Sequence, residues 1–273
     1  RTTIFFKGCP LRCAWCHNPE TQSAAPEYFY TEKFCIQCGS CARACPVGAH
    51  RFTEEGHSIR RSLCTRCMQC TAVCHTGALE PCLRELTLEE LYGEIEKDRE
   101  FYGRTGGVTL SGGEPMLYAR AASRLLRQAK ESGIGTAVET CGHFDGKFLE
   151  DVIPFTDLFL WDVKDTDDKR HLENTGVSTE KILENLRLAD ALGAATRLRC
   201  ILIRGVNLDQ AHLAAIARLY ASLRHCQGVE LLPCHTYGEG KYAQLGRCGN
   251  VRREWVPTAK EMAAARRFLR QHV

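Results

Sequence analysis

Three short cysteine runs constrain this chain more than any other feature, because thiols at such intervals are first of all metal ligands. Two of them are tandem copies of one pattern, Cys35-x2-Cys38-x2-Cys41-x3-Cys45-Pro46 and Cys64-x2-Cys67-x2-Cys70-x3-Cys74. Where such runs carry a pair of 4Fe–4S clusters, three cysteines of one run hold a cluster and the fourth reaches over to the other. The expected sets are Cys35, Cys38, Cys41 with Cys74, and Cys64, Cys67, Cys70 with Cys45. A four-cysteine zinc site is the alternative, and it has no use for so strict a 2-2-3 repeat. The second copy has His75 where the first has Pro46, which alters the turn without removing a ligand.

The remaining run comes first in the chain: Cys9-Pro-Leu-Arg-Cys13-Ala-Trp-Cys16, directly after an apolar stretch ending at Phe6. Three thiolates hold three irons of a cubane, so a 4Fe–4S cluster here keeps one iron open, where a substrate can be coordinated and activated. A zinc site with His17 as fourth ligand is the alternative. The three runs use eleven (three, four and four) of the 17 cysteines. A disulfide framework suits a small secreted chain, not one of 273 residues that lacks a signal-peptide pattern. Cys82, Cys141, Cys200, Cys226, Cys234 and Cys248 have no such spacing and read as buried, inert thiols.

Composition sets only outer limits. With 44% hydrophobic and 25% charged residues, the chain suits one large core with a small appended unit. A net charge of +3 with alternating signs leaves no basic face for nucleic acid. No run approaches the roughly 18 apolar residues that span a bilayer. No membrane partner is expected, and the chain reads as cytoplasmic.

After Cys82, helical patterns alternate with short strands. Thr87 is placed to cap a helix reaching about residue 101, with Glu89 and Glu90 in its first turn. Strands are predicted at 107–111, 136–140, 158–163, 196–203 and 229–233, and helices at 117–131, 146–152, 180–192, 210–223 and 257–271. With the strand before Cys9 this gives an α/β fold, a six-stranded parallel sheet that is either open or curled into a partial (β/α)6 TIM-like barrel. Residues 1–20 then form the first strand and cluster loop, 21–82 an inserted unit with the tandem runs, and 83–273 the rest of the barrel.

In such folds reactive groups gather at the carboxyl ends of the strands. Gly112, Gly113 and Glu114 follow the second barrel strand; the glycines allow close backbone approach to a ligand, and Glu114 can accept from an ammonium group. Glu139 and Thr140 end the next strand. Asp162 and Lys164 end the one after and share a face, so together they can grip a zwitterionic amino acid, or form a surface ion pair. Arg199 lies in the fifth strand and His235 follows the sixth; a lone histidine there is commonly structural.

These residues together resemble the glycyl-radical-enzyme activating enzymes of the radical S-adenosylmethionine (SAM) superfamily. The likeness runs through residues 6–20, Val108-Thr-Leu-Ser-Gly-Gly-Glu-Pro115, Asp162-Val-Lys-Asp165, Thr175-Gly-Val-Ser178 with Ile182-Leu-Glu-Asn-Leu186, Glu230-Leu-Leu-Pro-Cys-His235 and Gly238-Glu-Gly-Lys-Tyr242. The tandem runs are similar to those of the subset with a bacterial-ferredoxin-like insertion of two 4Fe–4S clusters. The resemblance implies a radical SAM partial barrel, three 4Fe–4S clusters and S-adenosylmethionine bound at the open iron of Cys9, Cys13 and Cys16. It also implies reductive cleavage to a 5′-deoxyadenosyl radical and hydrogen abstraction from a glycine of a partner glycyl-radical enzyme, with a flavodoxin or ferredoxin as electron donor.

By the same resemblance, Gly112, Gly113 and Glu114 receive the amino group, Asp162 and Lys164 lie near the methionyl end, Trp15 lies near the adenine, and Asn18, Arg199 and His235 surround the cofactor. Glu139 and Thr140, with Asp162, correspond to the holders of a monovalent cation, Glu139 standing where the family has aspartate. The family has a further segment before the first strand, ending in an arginine that Arg1 matches, so a truncated start is expected. Radical chemistry on another substrate, and a plain electron-transfer iron–sulfur protein, are the competing readings.

Overall fold

A computed structural model describes residues 1–249 and 252–273. Strand β1 (Thr2–Phe6) opens the fold, and the chain then leaves the main sheet for a long excursion. The excursion contains β2 (Tyr28–Tyr30), α1 (Ser40–Ala44), β3 (His50–Thr53), β4 (Gly56–Ile59), α2 (Gln69–Ala72) and β5 (Leu79–Pro81). β2 pairs antiparallel with β5, and β3 with β4. Helices α1 and α2 occupy equivalent places in the tandem runs, carry Cys41 and Cys70, and pack on each other. The buried apolar cluster of this unit comprises Tyr28, Leu79 and those two cysteines. An apolar cluster so small cannot hold a domain by apolar burial alone.

The chain returns through α3 (Leu88–Lys97), whose start is a capping box. The Thr87 hydroxyl accepts from the Glu90 amide at 3.2 Å, and the Glu90 carboxylate accepts from the Thr87 amide at 2.8 Å. Then follow β6 (Gly107–Gly112), α4 (Ala119–Glu131), β7 (Gly135–Thr140), α5 (Leu149–Val152), β8 (Leu158–Val163), α6 (Asp168–Thr175), α7 (Glu180–Ala191), β9 (Thr196–Leu202), α8 (Gln210–Ala221), β10 (Cys226–Pro233), α9 (Glu239–Gln244) and α10 (Ala259–Arg270).

All six barrel strands are parallel, in the order β1-β6-β7-β8-β9-β10, with β1 and β10 at the two edges. Strand periodicity sorts the side chains. Phe159, Trp161 and Val163 of β8, with Leu198, Cys200 and Leu202 of β9, are buried in the core shared with the helices. Their alternates Asp162, Arg197 and Arg199 lie on the opposite, partly open face.

The predicted barrel elements match to within a few residues, but α6, α9 and the four short strands of the insertion were not expected. The cause is local: α6 has Leu172 as its one apolar residue and starts at an Asp167 cap, α9 has six residues, and strands of three or four residues carry no readable alternation.

Candidate active site

The loop bearing Cys9, Cys13 and Cys16 leaves the carboxyl end of β1 and is tied down by groups distant in sequence. The amides of Arg12 and Ala14 donate to the last carbonyls of α6, Thr175 at 2.7 Å and Asn174 at 2.8 Å. These are groups a helix end leaves without internal partners, so α6 and the loop satisfy each other. The Tyr242 hydroxyl of α9 donates to the Cys16 carbonyl at 3.1 Å.

On the other side, the amides of Gly113 and Glu114 donate to the carbonyls of Phe6 and Gly8, both at 2.8 Å. A Cβ on Gly113 would lie 2.1 Å from the Gly8 oxygen. Gly112, at φ +101°, would meet the Phe6 backbone at 2.6 Å. The close approach made by the glycine pair is therefore to β1 and the cluster loop, where the sequence suggested a ligand.

Glu114 differs from expectation in the same way. Its carboxylate is fully buried and accepts from the Met116 amide at 3.0 Å, the Thr140 hydroxyl at 2.9 Å and the Cys141 amide at 2.7 Å. It clamps the end of β6 to the end of β7. Cys141, expected to be inert, is buried beside Cys9. Its thiol, the largest influence, holds the Cys9 thiol below its ordinary value. The loop beyond Cys141 is fixed by Asn185 of α7, whose amide donates to the carbonyls of Gly142 at 2.8 Å and Phe144 at 3.0 Å.

Lys164 Nζ lies 2.7 Å from Asp162 Oδ2 at the end of β8. Burial works to lower the Lys164 value, but Asp162 and the thiols around it outweigh that and raise it, so the ammonium stays charged. Burial pushes the Cys13 thiol up to about 12 and the Cys16 thiol up as well, with Lys164 pulling against the rise at both. Three thiols around one ammonium that is already paired lack positive charge, which a metal centre supplies as thiolates form. The donor set fits an iron–sulfur cluster.

The other residues expected around the cofactor are dispersed in their engagements. Asn18 Oδ1 accepts from Lys241 of α9 at 2.9 Å. Trp15 is buried in a satellite core, edge-on to Trp255 at 6.5 Å, and its indole N–H has no partner among the described residues. His235 stacks on Tyr237 at 4.6 Å and lies 3.7 Å from the ring of His17, the alternative zinc ligand.

Arg199 pairs with Glu139 at 2.7 Å and reaches Glu230 at 3.7 Å, while Ser111 also donates to Glu139. Both carboxylates expected to hold a monovalent cation thus face a side-chain cation, Glu139 from Arg199 and Asp162 from Lys164. The Thr140 hydroxyl is turned to Glu114.

In the insertion, a cavity of about 160 Å³ is lined by Cys35, Cys38, Cys41 and Cys74, with Phe52 and His57 among its other walls. It brings the fourth cysteine of the second run against three of the first. The Leu79 amide donates to Cys74 Sγ at 3.3 Å, and the Ala49 amide to Cys45 Sγ at 3.2 Å. Burial pushes His50 down to about 4 and His57 down as well. Helix α9 joins this unit to the cluster loop: Arg61 donates to the Gln244 carbonyl at 2.7 Å, and Gln244 donates to Thr31 at 2.8 Å. Of the positioning groups, Thr175, Asn185 and Tyr242 lie in stretches whose likeness was noted and Asn174 just before one, but nothing local to them revealed what they hold.

The Radical SAM superfamily profile matches residues 62–216, and that of a 4Fe-4S dicluster domain matches 34–78. The Cys9 loop lies outside both spans. The choline trimethylamine-lyase activating enzyme of Oleidesulfovibrio alaskensis is 42% identical, covering 90% of this chain and 82% of that protein. The isethionate sulfite-lyase activating enzyme of Nitratidesulfovibrio vulgaris is 40% identical, with coverage of 90% and 82%. Among solved structures, a domain of a pyruvate-formate lyase-activating enzyme from Bacteroides vulgatus superposes with a TM-score of 0.51 at 28% identity, over 61% of this chain and 94% of that one.

Proposed function

Since the chain belongs to the glycyl-radical-enzyme activating enzymes of the radical SAM superfamily, we propose that its own residues divide the work of that family as follows. When bound at Cys9, Cys13 and Cys16, a 4Fe–4S cluster with one open iron supplies the electron that splits S-adenosylmethionine into methionine and a 5′-deoxyadenosyl radical, which takes a hydrogen from a glycine of the partner glycyl-radical enzyme. Lys164 and Asp162 orient the methionyl carboxylate and ammonium, and the backbone around Gly112 and Gly113 completes that end. Glu114 and Thr140 hold the two strand ends in register. His235, Asn18, Arg199 and Trp15 bound the remaining space, with Trp15 behind the loop. The lumen of the open barrel is where the glycine arrives.

The observation that carries this reading is the convergence of the three-thiol loop with Lys164, Asp162 and the Glu114 clamp at one end of the sheet.

Two further clusters, on Cys35, Cys38, Cys41 with Cys74 and on Cys64, Cys67, Cys70 with Cys45, complete a three-cluster protein. The cavity that unites the first set supports the crossed ligation. The division at residues 20 and 82 follows from that insertion. A flavodoxin or ferredoxin supplies electrons in the cytoplasm, in keeping with the lack of any helix, among the described residues, long and apolar enough to cross a membrane. Arg199 and Lys164 provide the positive charge at Glu139 and Asp162 for which a monovalent cation is the alternative, so cleavage is expected to proceed without added sodium or potassium.

The test is anaerobic reconstitution with iron and sulfide, then reductant and S-adenosylmethionine, following 5′-deoxyadenosine and the paramagnetic signal of a candidate partner. Product together with a glycyl radical is expected. Cleavage without a radical on any of a panel of dehydratase, decarboxylase and carbon–nitrogen or carbon–sulfur lyase partners would overturn the glycine target.

A further inference from the structure

Two buried imidazoles stand beside the insertion's cavity without a role in the chemistry above. His50 and His57 face each other across the β3–β4 hairpin, His50 Nδ1 lying 3.0 Å from His57 Nε2. His57 Nδ1 lies 3.5 Å from Cys35 Sγ, and its Nε2 lies 3.9 Å from Cys41 Sγ. Phe52 stacks on the His57 ring at 4.3 Å and 6°, Tyr30 meets its edge at 4.9 Å, and the Tyr30 hydroxyl donates to the His57 carbonyl at 3.2 Å. A ring packed on two sides and bonded at both nitrogens has one orientation. Cys41, His50 and His57 would also suit a separate metal ion, but Cys41 is already counted among the ligands of the cluster.

The protons on the two rings follow from what each nitrogen meets. One proton lies between His50 and His57. If His57 gave it from Nε2, the bare Nδ1 would point its lone pair at the Cys35 sulfur, which as a cluster thiolate is itself an acceptor. The arrangement that puts a donor on the nearer sulfur, Cys35 at 3.5 Å against Cys41 at 3.9 Å, has His50 donating from Nδ1 and His57 carrying its own proton on Nδ1. A hydrogen bond to a ligand sulfur favours the more negative, reduced cluster and so raises its potential. Cys64, the repeat mate of Cys35, meets the Tyr28 hydroxyl at 3.7 Å in place of an imidazole.

We propose that His57, its tautomer fixed by His50, donates to the Cys35 thiolate and raises the reduction potential of the cluster on Cys35, Cys38, Cys41 and Cys74. This makes His57 a positioning and tuning residue for electron transfer, and it rests on the crossed ligand sets given above.

The experiment is a redox titration of the full reconstituted chain followed by electron paramagnetic resonance, with iron and sulfide content measured on every variant. The wild type is expected to hold three clusters. In His57→Leu, one auxiliary midpoint should move to more negative potential while the other two midpoints stay. His57→Gln, which keeps an N–H donor, should remain near the wild type. His50→Leu should move the same midpoint in the same direction by less, because the tautomer is no longer fixed.

Unchanged midpoints in a fully loaded His57→Leu overturn the proposal. Should His57→Leu fail to take up its cluster, His50→Leu decides, and an unchanged midpoint there overturns it equally. A wild type with fewer than three clusters removes the ligand reading beneath it, a failure recognisable because the iron content falls short before any variant is compared.

Discussion

In the barrel, the loop of Cys9, Cys13 and Cys16 is held from outside, by carbonyls of α6, a hydroxyl of α9 and the Gly112-Gly113-Glu114 turn. In the insertion, the cysteines are held largely by near neighbours, as when Ala49 donates to Cys45 and Leu79 to Cys74. The barrel rests on an extensive apolar core, whereas two of the four residues in the buried apolar cluster of the insertion are cysteines. A site set in a preformed core can be shaped by distant residues; a site that supplies its own core depends on its metal.

Iron removal should expose the contrast most sharply. On chelation under reducing conditions, amides of residues 35–79 are expected to lose hydrogen-exchange protection while those of β6 to β9 keep it. Equal loss in both regions would break the comparison.

Next in size is Glu114→Ala, which leaves the Thr140 hydroxyl and the Met116 and Cys141 amides unpaired in the core. A loss of about 3 kcal/mol or more is expected in denaturant unfolding of the barrel, with the insertion clusters still visible by spectroscopy. Gly113→Ala drives a methyl into the Gly8 carbonyl. A cost of about 1–3 kcal/mol is expected, together with selective loss of the cluster at Cys9, Cys13 and Cys16.

A pH effect is next, in the barrel. Burial would raise the Asp165 value, but the Arg170 guanidinium, bonded at 2.6 Å and 2.7 Å, and the Asp167 amide hold it below the ordinary one. A depressed carboxylate contributes its stability in full above the unfolded value and loses it as pH falls through the folded one. Asp165→Asn should therefore flatten the acid limb of the stability curve below roughly pH 4, as urea melts across pH would show.

The smallest effect separates the two copies within the insertion. Before α1 the left-handed position is Gly39, at φ 72°, but before α2 it is Met68, at φ 61°. Met68→Gly should relieve backbone strain and stabilise the loaded insertion by no more than about 1 kcal/mol, read as slower iron loss to a chelator.

Much of this was legible beforehand because the signals are local. Cysteine spacing within a run reports which thiols can meet one cluster, and alternation along β8 already put Asp162 and Lys164 on one face. The protein partners of Gly113 and Glu114 were not legible for the complementary reason: a strand-end turn looks the same whether it faces a ligand or a neighbouring loop. Nothing in the run from Ser111 to Pro115 tells that Gly8 lies against Gly113.

By itself, then, the sequence determined the kinds of ligand, their grouping into three runs, and the alternating strands and helices that bring strand ends together. Only the tertiary structure decided which groups have partners already: Glu114 closed on Thr140 and Cys141, Arg199 turned to Glu139, Cys141 set beside Cys9, and His57 aimed at Cys35. Covalent spacing limits what near neighbours can reach, whereas satisfaction of a buried polar group depends on residues the chain brings back from far away.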